Sequence, residues 1–77
     1  MAATKLAAAA SSLHASDRIL VDFAGQEVEV VVDETGRYDR TTAGFKVMVW
    51  WTHEPTDTSG VSTYTSSRLV PVVRFAR

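Results

Sequence analysis

The stretch Ile19-Leu-Val-Asp-Phe-Ala-Gly-Gln-Glu-Val-Glu-Val-Val-Val-Asp33 decides the fold. Ile19, Val21 and Phe23 alternate with Leu20, Asp22 and Ala24. After Gly25-Gln26, Val28, Val30 and Val32 alternate with Glu27, Glu29, Val31 and Asp33. A period of two puts successive side chains on opposite faces of a strand. Two such runs around a glycine turn read as a β-hairpin. Ile19, Val21, Phe23, Val28, Val30 and Val32 share the face that goes inside, and Glu27, Glu29 and Asp33 face water.

Outward from the hairpin, Phe45, Val47, Val49 and Trp51 alternate with Lys46, Met48, Trp50 and Thr52. This is a third strand, with a large aromatic on each face. Between it and the hairpin, Glu34-Thr35-Gly36-Arg37 has turn composition, and Tyr38 to Gly44 reads as a polar loop with at most a short strand. His53 to Ser59 holds Pro55 and is a loop. Val61 to Thr65 extends as a strand, and Arg68 to Ala76 is the last one. Pro71 has no N–H to give a ladder, so that strand lies at an edge, is bulged, or divides there.

Residues 1–16 form a separate Ala-rich segment, and 17–77 form the β domain. Alanine is the best helix former, which favours a short helix over Ala2–Leu13, with an extended arm as the alternative. Leu6 and Leu13 are its only large apolar groups after the first residue and lie seven apart, near one face. The Ala- and Ser-rich, acid-free start has the flavour of a targeting peptide. Its hydrophobicity is weak and it lacks a good cleavage site, so the segment is expected to be kept. The fold class is therefore mainly β: a small antiparallel barrel or sandwich of four to five strands with a short N-terminal helix or arm.

Seventy-seven residues allow one domain and a small core. Chains of this size lean on disulfides, metals or partners for stability. There is no cysteine, which rules out disulfides and thiolate zinc sites, and only two histidines. Association with copies of itself or another protein is the remaining source. Eight basic against nine acidic residues give no basic footprint for nucleic acid. No apolar run is long enough to span a membrane. The reading is of a soluble chain, in a cytoplasmic or a virion setting.

No catalytic motif is present, and neither an enzyme nor a cofactor is expected. His53-Glu54 is adjacent, so in a strand the two side chains diverge. The acidic run from Asp33 to Asp39 fails the calcium-loop pattern, because Gly36 is its fourth residue and Arg37 falls at a ligand position. Trp50-Trp51 is the most informative pair, since adjacent strand residues cannot enter one core. Trp51 is assigned to the core. Trp50, with Met48 on its face, is either covered by the N-terminal segment or anchors an interface, as tryptophans often do.

The expected interface residues are Trp50, Met48, Leu6 and Leu13. The expected function is a non-enzymatic structural or interaction subunit, in the style of virus- or phage-particle decoration and connector proteins. One alternative is a small nucleic-acid-binding barrel using Arg37, Tyr38 and Arg40, which stands against the charge balance; Arg68, Arg74 and Arg77 form a second basic group. Another is an inhibitor of a host enzyme or complex, mimicking a nucleic-acid backbone through Glu27, Glu29, Asp33 and Glu34.

Overall fold

A computed structural model describes residues 6–41 and 44–76, with backbone alone for 38–41 and 44. It contains six strands: β1 (Leu6–Ala9), β2 (Arg18–Phe23), β3 (Gln26–Thr41), β4 (Gly44–His53), β5 (Thr58–Thr65) and β6 (Leu69–Arg74). All pairs are antiparallel, in the order β1-β6-β2-β3-β4-β5. The architecture is mainly β, as the alternating pattern requires. The pairing describes one open sheet rather than a closed barrel or a two-sheet sandwich, and β1 and β5 remain its edges.

The β2–β3 hairpin forms where the sequence places it, with Val21 opposite Val28 and Phe23 opposite Gln26. Its two-residue turn is Ala24-Gly25, at φ 55° and 81°. Two positive φ values are the signature of a type I′ turn, whose twist matches that of the flanking strands. Ile19, Val21, Val30 and Val32 are buried, and Phe23 and Val28 pack against them.

β3 is the backbone of the fold. Its first half pairs with β2 up to Val31, and its second half pairs with β4 from Val31 to Thr41. The register shifts between Val32 and Glu34 and again between Tyr38 and Arg40. Bulges of this kind bend a strand and raise its twist. The Asp33 carboxylate at the first bulge accepts a 2.7 Å hydrogen bond from the Thr52 hydroxyl. The turn expected at Glu34–Arg37 is thus corrected to strand, and so is the loop expected from Tyr38 to Gly44 at Tyr38–Thr41 and at Gly44; residues 42 and 43 lie outside the described part. Gly36 is not at positive φ; it lies flat under the Trp50 ring, which a Cβ would meet at 3.3 Å.

The bend curls the sheet over its own apolar face. The Phe23 ring meets Trp51 edge-on, at 5.9 Å between centroids and 74° between planes. Val47, Val49 and Trp51 from β4 thereby join Ile19, Val21, Val70 and Val72 in one core. The curl also brings the end of β5 close enough to β6 for the short Ser66–Arg68 segment to join them. Ser66 N–H donates to Phe45 C=O at 3.2 Å, and Arg68 N–H to Thr65 C=O at 3.0 Å.

The N-terminal segment is also corrected. Leu6–Ala9 forms a strand on β6, and Ala10–Ser12 forms a single 3-10 turn, where a helix over Ala2–Leu13 or, equally, an extended arm was expected. Residues 1–5 lie outside the described part. A twelve-residue alanine helix is marginal in water. As a strand the segment satisfies the outer side of β6, and it delivers fully buried Ala10 and nearly buried Leu13 to the core. β6 runs unbroken through Pro71, opposite Ala7 of β1. Toward β2 the ladder runs no further than Ile19–Val72, and its register shift falls between Val72 and Arg74, so at Pro71 itself the strand has a neighbour on the β1 side only.

Asp17 is the one buried polar or charged residue among those described, at 2% exposure. Its carboxylate accepts the N–H of His14 at 2.9 Å and of Ala76 at 2.7 Å. It therefore ties the connection before β2 to the residues after β6.

Candidate interaction surface

β4 separates its two tryptophans as strand geometry demands. Trp51 turns inward, and its indole N–H donates to the Ser62 hydroxyl at 3.0 Å. The ring lies flat on Gly60 of β5, where a Cβ would come within 2.5 Å of it. Trp50 turns outward and is 36% exposed. Its ladder neighbours are Glu34 on β3 and Val61 on β5, and Val61 is 47% exposed. Met48, half-buried, is two residues along the same face, between Gly36 and Thr63. Met48, Trp50 and Val61 thus form an apolar strip that ends at the free edge of β5. Large apolar side chains grouped on one outer face mark interaction sites more often than the same residues scattered.

The remaining candidates separate in space. Leu6 is 42% exposed on the opposite edge strand, β1, while Leu13 is 3% exposed and belongs to the core. Within the N-terminal segment, Leu6–Ala9 pairs with β6 and Leu13 packs into the core, on the face opposite Trp50. Val61 was not singled out from sequence. The signal was present, since Val61-Ser-Thr-Tyr-Thr alternates and so sets Val61 and Tyr64 on opposite faces.

Among the basic candidates, the Arg37 guanidinium sits 4.6 Å above the Phe45 ring centroid, a cation–π contact that engages its face. The side chains of Tyr38 and Arg40 lie outside the described part. Arg18 bridges Glu54 at 3.1 Å and Glu29 at 3.3 Å. The hydrogen bond to Glu54, and then its charge, raise the Arg18 pKa further above the ordinary arginine value. His53 Nδ1 is 2.8 Å from the Thr56 hydroxyl, and its ring tilts against Phe23. Among the described residues no three His, Asp or Glu side chains are grouped to hold a metal.

The described residues also form open grooves. One, of about 410 Å³, lies where β2 and β6 part beyond Ile19 and Val72, and its walls include Leu20, Asp22, Glu27, Tyr64, Arg68 and Pro71. Another, of about 270 Å³, runs past Ser11, His14, Thr35 and Arg37. Neither is enclosed. No family model, characterised protein or solved structure matches this chain.

Proposed function

We propose that this chain is a structural or interaction subunit, acting by protein–protein contact through the outer face of β4 and β5. The observation that carries the reading is the Trp50–Val61 strip, continuous with an unpaired strand edge. Tryptophan concentrates binding energy at interfaces because it buries a large rigid surface at small entropic loss. Strand edges offer a row of backbone donors and acceptors to a partner. The curled, open sheet supports reading the chain as a small barrel-like module that presents this face. A role as a decoration or connector subunit in a larger particle fits such a module.

The test is the solution mass of the full chain and of Trp50→Ser over a wide concentration range, with capture of protein partners alongside. Association that weakens in Trp50→Ser, while the far-ultraviolet circular dichroism is kept, is the expected result. A chain that stays monomeric at every concentration and captures no protein overturns the reading.

A further inference from the structure

The bulge between Val32 and Glu34 changes which residues of β3 face the core. Before it, Val32 lies opposite Trp51, and both are buried. Beyond it, Glu34 lies opposite the outward Trp50, while Thr35 and Arg37 lie opposite the buried Val49 and Val47. Residues opposite one another in an antiparallel pair share a face. A hydroxyl and a guanidinium are thereby turned to the side of the sheet that elsewhere carries valines. The segment around Ser11 and His14 lies over this same side, because Leu13 between them packs into the core. The groove of about 270 Å³ runs between the two. Buried Leu13 and Val47 form its floor, and exposed Ser11, His14, Thr35 and Arg37 form its rim.

We propose that this groove binds a small oxyanion, a phosphate or carboxylate group, through the Arg37 guanidinium and the side chains of His14, Ser11 and Thr35. The chemistry of the rim selects that ligand. Arginine only donates hydrogen bonds, and the two hydroxyls and the imidazole can each donate one. Among the described residues, no carboxylate lines the groove, and none of these four side chains has a hydrogen-bond or ion-pair partner. Arg18 is the contrast, since Glu29 and Glu54 both bridge it.

The cation is also held in place. The Phe45 ring supports the flat face of Arg37, with the guanidinium carbon 4.6 Å from the ring centroid. Guanidinium N–H groups lie in their own plane, so this contact leaves an edge to grip an oxyanion with two parallel bonds. His14 is anchored by its backbone N–H, which donates to Asp17 at 2.9 Å. Asp17 does not compete with the ligand: it is 2% exposed, and both of its oxygens accept backbone N–H groups. Ligand sites commonly span ~300–1,000 Å³, so this groove suits one oxyanion group carrying few further atoms. It lies on the opposite side of the sheet from the Trp50–Val61 strip and is independent of the interaction-subunit reading.

The experiment titrates the full chain with inorganic phosphate and, separately, with acetate. Both titrations run at fixed pH and at an ionic strength held constant with sodium chloride, followed by proton NMR and calorimetry. The chain has two histidines, and His53, beside Thr56 and Phe23, is the internal reference. Saturable binding that moves the ring signals of His14 and leaves those of His53 in place is the expected result. The anion that binds more tightly tells a phosphate source from a carboxylate one. Arg37→Gln is expected to weaken binding roughly ten-fold or more, the effect of losing a charge-assisted, bidentate contact. It keeps the circular dichroism of the wild type, since Arg37 is exposed. Arg74→Gln removes an exposed charge that does not line the groove and leaves the affinity unchanged.

The proposal is overturned if neither anion binds saturably, if the two histidines move together, or if Arg37→Gln binds as tightly as the wild type. Equal weakening by Arg37→Gln and Arg74→Gln would show attraction to overall charge rather than to a site, and would also overturn it.

Discussion

At the scale of single residues, the contact of Trp51 with β5 sets the strictest demand. Gly60 is there because the indole needs the space a Cβ would fill. Gly60→Ala must push the ring off its rotamer or move β5. It is expected to destabilise by about 1–3 kcal/mol, the range for overpacking, measurable as a lower denaturation midpoint. Ser62→Ala removes the acceptor of the Trp51 N–H and is expected to cost about 1–2 kcal/mol, because the donor loses its partner away from water. Asp17 poses the same question at the other end of the molecule. Both of its carboxylate oxygens accept backbone N–H groups, and an asparagine offers one acceptor and turns a donor toward a donor. Asp17→Asn is expected to lose about 1–3 kcal/mol. Chemical denaturation with unchanged slope would identify this as loss of native contacts rather than a change in the unfolded chain.

At the scale of elements, the β2–β3 turn carries a removable strain. Ala24 adopts φ 55°, a region that disfavours any residue with a Cβ other than asparagine or aspartate by about 1 kcal/mol or more. Ala24→Asn creates the Asn-Gly pair that type I′ turns prefer and is expected to stabilise by about 0.5–1 kcal/mol, seen as a higher melting temperature. The hairpin itself was legible in sequence because both strands alternate over six or more residues with one face going inside. β4 and the split between its tryptophans were legible for the same reason. β1 was not legible, because Leu-Ala-Ala-Ala has no period of two and alanine favours helix. Only the need of β6 for a neighbour selects a strand there, and that need is tertiary. The passage of β3 through Gly36 was also hidden, since glycine suggests a turn until the overlying Trp50 ring is known. Val61 could have been read from its alternation. Its place beside Trp50 depends on the β4–β5 register, which no local pattern encodes.

At the scale of the whole molecule, the sheet order places the last strand between the first two. β6 pairs with β1 and β2, so this half of the sheet is completed only when both ends of the chain meet. Such non-local pairing implies folding in milliseconds to seconds rather than microseconds, which stopped-flow fluorescence would check. Removing residues 1–9 should leave β6 with an open side and uncover Val70 and Val72, lowering stability and promoting aggregation visible as light scattering. The two adjacent tryptophans have a further consequence. One is sealed against Gly60 and the other stands in solvent, so the chain carries two optical probes in neighbouring positions that report different events. Iodide should quench Trp50 and spare Trp51. Emission from the first then follows what docks on the sheet, and emission from the second follows whether the sheet is folded at all.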